Sequence, residues 1–238
     1  MTRPGLAGVC HLLAAVVTAA SCASTEAPVA PSSAGTSASV RGVVVVLGDS
    51  LAVSPSPQES FPAELQKRLD STARGWTVNN AGVSGDTTSG GLRRFEQALT
   101  TDTRVVVLEL GANDGLRGVD VAAIEKNLSA MIERAQARGI KVLLCGMETP
   151  PFNGFNYTVD FHRLFPRLAQ KYNVALVPFL LEGVALNPDL NGADEIHPNA
   201  AGAKRIADTV WPYLQPLVEQ RVTATIQRFT DWAIRGIR

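Results

Sequence analysis

Four short segments, widely separated along this 238-residue chain, contain the residue types of a hydrolytic site. They are residues 48–51 (Gly-Asp-Ser-Leu), 80–85 (Asn-Ala-Gly-Val-Ser-Gly), 111–114 (Gly-Ala-Asn-Asp) and 194–197 (Asp-Glu-Ile-His). Together they offer a nucleophile, donors for an oxyanion, a base and a carboxylate that can orient the base. Those are the groups that acyl transfer requires.

The histidine segment is the most specific of these, because the chain has only three histidines. Asp194, three residues before His197, can accept a hydrogen bond from one ring nitrogen and leave the other free to take the proton of a serine. Ser50 is the predicted nucleophile. Its surroundings do not match the Gly-x-Ser-x-Gly turn, because Ala52 stands where the second glycine would be. The alternative for His197 is a cap on the helix that begins near Pro198.

Donors for a tetrahedral oxyanion are available in the two middle segments. Gly82 would let a backbone N–H approach the substrate closely, Asn113 would offer its side-chain amide, and the N–H of Ser50 would be a third donor. Taken alone, each of these is also an ordinary turn residue.

Runs of β-branched residues alternate with amphipathic segments along residues 42–217. This pattern predicts βαβ units and a parallel sheet with helices on both faces, which brings the carboxyl ends of the strands to one edge. The predicted strands are 43–47, 76–80, 105–110, 140–145 and 174–177, and the predicted helices are 58–70, 121–138, 161–172 and 199–217. Residues 218–238 are predicted to add a C-terminal helical extension.

The first 22 residues resemble an export signal, because Arg3 precedes an apolar stretch, 12–20, that is too short to span a bilayer. Residues 19–22 (Ala-Ala-Ser-Cys) resemble the processing box of bacterial lipoproteins, which predicts lipidation of Cys22. An ordinary signal peptide with an incidental cysteine is the alternative. We expect a protein that is exported to the periplasm or the extracellular space, either free or anchored to the membrane through Cys22.

Residues 23–41 are mostly Ala, Ser, Thr and Pro, so they cannot bury enough apolar surface to order themselves and are predicted to be a flexible linker. The chain as a whole is 45% hydrophobic with equal numbers of acidic and basic residues, 22 of each. The length and hydrophobic content favour one sizeable domain. The balance of charges gives no positive electrostatic field that would attract nucleic acid. We expect no nucleic-acid partner.

Cys145 is the only cysteine outside the leader. It could be proposed as a nucleophile, but its neighbours Leu143 and Leu144 are typical of a small buried hydrophobic residue. The sequence has no His/Cys/Asp cluster at metal-ligand spacing, so we expect no metal and no cofactor.

In order, the four segments resemble the blocks of the GDSL or SGNH hydrolase family, over about residues 43–217. The resemblance implies a flavodoxin-like three-layer α/β/α sandwich with a five-stranded parallel sheet. It also implies site roles: Ser50 as nucleophile, His197 as base, Asp194 as its orienting acid, and Gly82, Asn113 and the Ser50 amide as the oxyanion hole. The sequence is most similar to the bacterial arylesterase and acyl-CoA thioesterase I (lysophospholipase L1) subgroup.

The chain departs from that subgroup at residues 52–57 (Ala-Val-Ser-Pro-Ser-Pro), where a Thr-Ala-Gly type sequence is usual. Two prolines restrict this loop, and Ala52 has a methyl group where the subgroup has a hydroxyl. The departure leaves the substrate fit near Ser50 open but does not affect the reaction class.

An apolar wall for short to medium acyl groups is predicted from Leu116, Phe152 and Phe155, together with Tyr157. The alternative is that the aromatic residues pack their loop against the sheet. We therefore expect a serine esterase that hydrolyses carboxylic esters, or thioesters, through an acyl-enzyme intermediate.

Two other functions fit the same residues. A carbohydrate acetylesterase would use this site with a small acyl pocket, and an exported binding protein would keep the fold without turnover. The expected partner is a small-molecule ester or lipid. An exported protein does not meet cytosolic acyl-CoA, which favours an extracytoplasmic ester that is lipid-derived or an acetylated sugar.

Overall fold

A single parallel sheet organises the protein, whose computed structural model describes residues 42–73 and 75–235. Its strands are β1 Gly42–Gly48, β2 Trp76–Asn80, β3 Thr103–Glu109, β4 Lys141–Cys145 and β5 Ala175–Val177. They lie in the order β2-β1-β3-β4-β5, and every adjacent pair is parallel. This is the strand order of the flavodoxin-like folds, which confirms the predicted fold class.

Helices cover both faces of the sheet. They are α1 Phe61–Thr72, α2 Thr88–Ala98, α3 Ala112–Arg117, α4 Val121–Ala137, α5 Phe155–Tyr172 and α6 Ala200–Arg235. Helices α1 and α6 pack together in one layer, while α4 packs against both α2 and α5 in the other. The structure therefore has the three layers of an α/β/α sandwich.

The two central strands form the middle of the core. Residues 44–47 of β1 and 105–108 of β3 are fully buried, as expected for β-branched strands covered on both faces. Their register pairs Gly48 with Glu109, so the two strands end at the same level. The residues that follow each strand consequently lie side by side at one edge of the sheet.

The sequence prediction missed two helices, α2 and α3. Helix α2 contains the consecutive glycines Gly90 and Gly91, which disfavour helix formation in isolation. It is helped by Thr87, whose side chain accepts a hydrogen bond from the N–H of Gly90, and by close packing of Gly91 against Leu110. Helix α3 has only six residues, too few for a helical period to be recognised.

Three predicted helix ends were also wrong. Helix α1 begins at Phe61 rather than at residue 58, with Ser60 as the residue before its first turn. Helix α5 begins at Phe155 rather than at residue 161, and its first six residues are exposed or half-buried, so they carry no apolar stripe. Helix α6 continues to Arg235 rather than ending at residue 217, even though Pro212 and Pro216 lie inside it. The predicted C-terminal extension is therefore helical and continuous with α6. Among the helices of the described residues, none has the length and apolar character needed to cross a membrane.

The predicted export signal (1–22), its Cys22 and the predicted linker (23–41) lie outside the described residues. They remain predictions from the sequence.

Close packing at the start of α6 holds the loop that carries His197. A Cβ atom on Gly202 would overlap the carbonyl oxygen of Leu190, and the N–H of Gly202 donates to Asn199 Oδ1 at 3.0 Å. We expect Gly202→Ala to lower the free energy of unfolding by about 1–3 kcal/mol, because the backbone of the loop must move to accommodate the methyl group.

Chemical denaturation would measure this change. The control is Ala201→Ser at the exposed neighbouring position, which should change the free energy of unfolding by less than about 0.5 kcal/mol. Equal stability of the Gly202→Ala and control proteins would contradict the packing described here.

Candidate active site

The strand order reverses between β1 and β3, and this is where the site residues gather. Chains leaving the carboxyl ends of these two strands run to opposite sides, which opens a crevice at the edge of a parallel sheet. Asp49 follows β1 and Asn113 follows β3. The side-chain amide of Asn113 donates a hydrogen bond to Asp49 Oδ2 at 3.0 Å, which ties the two strand ends together.

Ser50 lies in a tight turn immediately after β1. Oδ1 of Asp49 accepts a hydrogen bond from the N–H of Leu51 at 3.0 Å. The carbonyl of Ser50 accepts two more, from the Ser54 hydroxyl at 2.7 Å and from the N–H of Val53 at 3.2 Å. The loop that departs from the subgroup pattern thus supplies its own hydroxyl, at Ser54, to hold the serine backbone in place.

The structure brings Ser50, His197 and Asp194 into one hydrogen-bonded chain. Ser50 Oγ and His197 Nε2 are 2.8 Å apart, and His197 Nδ1 and Asp194 Oδ2 are 2.6 Å apart. Both distances are within the range of strong hydrogen bonds. The imidazole is therefore held between a hydroxyl and a carboxylate, as an acyl-transfer site requires.

Main-chain contacts hold the loop that presents His197. Its carbonyl accepts a hydrogen bond from the N–H of Gly192 at 2.8 Å, and Asn191 forms an isolated antiparallel bridge with Pro198. Oδ1 of Asp194 accepts the N–H groups of Ile196 and His197 at 3.1 and 3.0 Å. The alternative prediction, that His197 only caps a helix, does not account for its ring contacts with Ser50 and Asp194.

The two aspartates of the site have opposite electrostatic environments. The His197 ring and two backbone N–H groups hold the pKa of Asp194 well below its usual range, so it stays ionised. Burial raises the pKa of Asp49 to about 6, although hydrogen bonds from Leu51 and Asn113 oppose this rise. Asp194 is therefore suited to stabilise a charged imidazole, while Asp49 is a buried structural acid.

Of the predicted oxyanion donors, Ser50 and Asn113 have free N–H groups but Gly82 does not. The N–H of Ser50 has no acceptor among the described residues, and Asn113 uses only one of its two amide hydrogens, on Asp49. The N–H of Gly82 instead donates to Asn80 Oδ1 at 3.0 Å. This contact argues against the predicted oxyanion role of Gly82.

Gly82 has a packing role that explains why glycine is required there. A Cβ atom at this position would lie 2.8 Å from Cβ of Ala52 and 3.0 Å from the carbonyl oxygen of Asp49. In the same segment Gly85 is exposed, has a φ of +75°, and has an N–H without an acceptor in the described part of the chain. Gly85 is a donor that the sequence analysis did not single out.

Three of the residues predicted to form the acyl wall are exposed at the surface. Leu116 is in α3, Phe152 is in a short 3-10 helix (Pro151–Asn153), and Phe155 is the first residue of α5; they are 47, 65 and 79% exposed. Asn153 joins the 3-10 helix to α3 by donating to the carbonyl of Gly115 at 2.7 Å. The alternative, that the aromatic residues pack against the sheet, is wrong for Phe152 and Phe155, whose side chains face solvent. It holds in part for Tyr157, which is half-buried and packs against the core.

Other chemistry-bearing side chains lie away from this arrangement. Cys145 is fully buried in β4, and burial, together with the nearby Glu109, raises the pKa of its thiol, so it is not a nucleophile. His162 is exposed on α5 and pairs with Glu148 at 2.6 Å. Within residues 42–73 and 75–235, no cluster of three His, Cys, Asp or Glu side chains could hold a metal ion.

The two buried acids at the ends of the central strands were missed by the sequence analysis. Asp49 and Glu109 are both fully buried, each at the carboxyl end of an apolar central strand. A carboxylate that ends an otherwise continuous apolar run was the available signal, because charged residues are rarely buried without a partner.

Comparison with known proteins agrees with this geometry. The model of the GDSL-like lipase/acylhydrolase family matches residues 46–205. Over 178 residues the chain is 42% identical to esterase TesA of Pseudomonas aeruginosa, an alignment that covers 74% of this chain and 89% of that protein. Over 184 residues it is 36% identical to thioesterase 1/protease 1/lysophospholipase L1 of Escherichia coli, covering 76% and 87%.

Solved structures agree as well. The psychrotrophic esterase EstA from Pseudoalteromonas sp., in a structure inhibited by monoethylphosphonate, has a TM-score of 0.70 at 30% identity, covering 75% of this chain and 99% of that one. The family and subgroup resemblance predicted from the four segments is confirmed by these comparisons.

The Asp194–His197 contact leads to the first kinetic prediction. In Asp194→Asn the side chain cannot hold the same imidazole tautomer or stabilise its positive charge, so we expect kcat for ester hydrolysis to fall by about 10²–10⁴. Steady-state hydrolysis of p-nitrophenyl butyrate would measure the loss.

The control is Asp189→Asn in the same loop, because only the main chain of Asp189 is used in the hydrogen bonds described there. It should keep the wild-type kcat. A kcat for Asp194→Asn close to that of the control would show that this carboxylate does not support the imidazole.

Proposed function

This chain belongs to the GDSL-like lipase/acylhydrolase family, and we propose that it hydrolyses carboxylic esters with short to medium acyl chains through an acyl-enzyme on Ser50. It is a serine ester hydrolase, like its curated relatives. The observation that carries the proposed mechanism is the 2.8 Å contact between Ser50 Oγ and His197 Nε2, with Asp194 on the other ring nitrogen.

In the first step, Ser50 Oγ attacks the ester carbonyl carbon while His197 Nε2 takes the hydroxyl proton. The imidazole then carries a positive charge, which the ionised Asp194 stabilises through Nδ1–H. The carbonyl oxygen becomes an oxyanion that accepts hydrogen bonds from the N–H of Ser50 and the free amide hydrogen of Asn113. We assign the third donor to the N–H of Gly85, because the N–H of Gly82 is already used by Asn80.

In the second half of the reaction, His197 returns the proton to the leaving alkoxide as the tetrahedral intermediate collapses to the acyl-enzyme. A water molecule then attacks the acyl carbonyl, with His197 taking one of its protons. Collapse of this second intermediate gives the carboxylic acid and returns the proton to Ser50. Every step uses side chains of this chain, and none requires a metal or a cofactor. The EstA structure inhibited by monoethylphosphonate supports such a route, because phosphonates react with activated serines.

The proposed acyl wall is the exposed apolar surface formed by Leu116, Phe152 and Phe155. Leu116 is three residues after Asn113 in α3, which places both on one side of that helix. An apolar surface one helical turn from the oxyanion donor is suited to an alkyl chain, and it is open to solvent, so it does not restrict the substrate to acetyl groups.

The sequence supports an extracytoplasmic location for this activity. We propose that residues 1–22 export the protein and that Cys22 is its lipidation site. The natural substrate would then be an ester outside the cytoplasm, of lipid origin or a small soluble ester.

Replacing the nucleophile tests the proposal directly. We expect Ser50→Ala to reduce kcat for p-nitrophenyl butyrate by about 10³-fold or more, because no other hydroxyl of the described residues contacts the imidazole. Thermal denaturation should show that the Ser50→Ala protein is folded and melts at a temperature close to that of the wild type.

The matched control is Ser56→Ala in the same loop, whose hydroxyl contacts only Glu59 at 3.3 Å; it should retain full activity. Turnover retained by Ser50→Ala would refute the assignment. A wild-type protein without any esterase activity would instead favour a binding protein that keeps the fold.

A graded ester panel tests the acyl wall. We expect kcat/KM of the wild type to be highest for chains between butanoate and octanoate, and Leu116→Ala to lower kcat/KM for octanoate about tenfold because apolar contact is lost. The acetate ester serves as the internal control and should change little.

The outcome against the proposal is a wild-type enzyme that prefers acetate and releases acetate from acetylated xylan. That result would assign the site to a carbohydrate acetylesterase.

A further inference from the structure

Glu109 is a buried carboxyl group beneath the site that the hydrolytic mechanism does not use. It ends β3 and is fully buried. Its Oε2 accepts a hydrogen bond from the N–H of Asp49 at 3.0 Å, across the pairing of β1 with β3. Its Oε1 is buried and accepts no hydrogen bond from the residues that the structure describes. A buried oxygen without a donor is unfavourable for a charged carboxylate.

Glu109 and Asp49 are both fully buried acids at the ends of the two paired central strands. Two buried negative charges that are close together repel each other strongly. Burial and the charge of Asp49 raise the pKa of Glu109 well above its usual range. This environment favours the protonated form of Glu109.

Arg94 is the basic residue that faces this pair, but its hydrogen bonds are made elsewhere. Its guanidinium donates to the carbonyl of Gly48 at 2.9 Å and to Asp86 at 2.7 Å. The positive charge of Arg94 lowers the pKa of Glu109 less than burial and Asp49 raise it. Among the described residues, the N–H of Asp49 is consequently the hydrogen-bond donor to the Glu109 carboxyl group.

The carboxylate of Asp49 in turn contacts the groups around the catalytic serine and the oxyanion donor. Its Oδ1 accepts the N–H of Leu51, which shapes the Ser50 turn, and its Oδ2 accepts the Asn113 amide. The space for Glu109 is provided by Gly48, since a Cβ atom there would overlap Glu109 Oε2. Glu109, Asp49 and Asn113 thus form a continuous hydrogen-bonded chain from the core to the oxyanion donor.

We propose that Glu109 is a positioning residue for ester hydrolysis, which accepts the N–H of Asp49 and thereby holds Asp49 where it aims the Asn113 amide at the oxyanion. This inference rests on the proposed function. We expect Glu109 to stabilise the transition state more than the bound ester, because the oxyanion forms only after Ser50 has attacked.

Two substitutions at Glu109 separate hydrogen bonding from shape. Glu109→Gln keeps an oxygen that can accept the N–H of Asp49, whereas Glu109→Met fills a similar volume and cannot accept this hydrogen bond. We expect Glu109→Met to lower kcat about tenfold or more with little change in KM, because a misaimed oxyanion donor loses part of the 10²–10³ that a donor contributes. Glu109→Gln should stay within about threefold of wild type, as rescue by a conservative variant.

The control for a buried polar group lost from the same strand is Thr103→Val. Thr103 is buried at the other end of β3 and bonds to Thr100. The Thr103→Val substitution should lower the melting temperature of the protein without changing its kcat. If circular dichroism shows that Glu109→Met is unfolded, Glu109→Ala replaces it and is judged by the same comparison.

A double-mutant cycle with Asn113→Ala distinguishes positioning from general destabilisation. If Glu109 acts through Asn113, adding Glu109→Met to the Asn113→Ala protein should cost less than about threefold in kcat.

Three results would overturn the inference: wild-type kcat in Glu109→Met, an equal loss in Glu109→Gln, or additive losses in the cycle. The proposed function fails separately, if the wild type itself shows no activity that depends on Ser50.

Discussion

The hydrogen bond between Ser50 and His197 joins residues that are 147 positions apart, and the architecture of the site serves to make this one contact. Ser50 is placed by the end of β1 and by the Asp49 and Ser54 contacts that hold its turn. His197 is placed by a loop closed by main-chain hydrogen bonds just before α6. A shift of about 1 Å in either element would lengthen the contact beyond the range in which proton transfer is efficient.

Beneath this contact the protein buries two acidic side chains, although burial of an acid is energetically unfavourable. Asp49 and Glu109 end the two central strands and are fully excluded from solvent, yet they are joined to each other and to Asn113. Groups in a low-dielectric interior interact more strongly than at the surface, so a buried chain of this kind can orient an amide more rigidly than exposed side chains can. Asp194 provides the contrast, because it lies near solvent and stays ionised through its hydrogen bonds alone.

Much of this arrangement could be predicted from sequence, for identifiable reasons. The β-branched runs of β1 and β3 predict strands buried on both faces, and the strand ends locate Ser50 and Asn113. Helix α2 was missed because Gly90 and Gly91 have a low helix propensity. The helix depends on the packing of Gly91 against Leu110, which the sequence does not show. The direction of a single N–H vector is also beyond sequence patterns. Gly82 and Gly85 belong to the same segment, and only the structure shows that the N–H of Gly82 is already bonded to Asn80. Glu109 lies in an apolar run, which is a signal for a buried acid, but its contact with Asp49 depends on the pairing of β1 with β3 and could not be predicted from the sequence.

Ser50 is the residue proposed to carry the acyl group during turnover. Peptide mass mapping of the wild-type protein, quenched in acid during hydrolysis of a p-nitrophenyl ester, tests this assignment. We expect the mass of one acyl group on the peptide that contains Ser50, and its loss when the ester is consumed. An acyl group found on another residue during productive turnover would contradict the assignment.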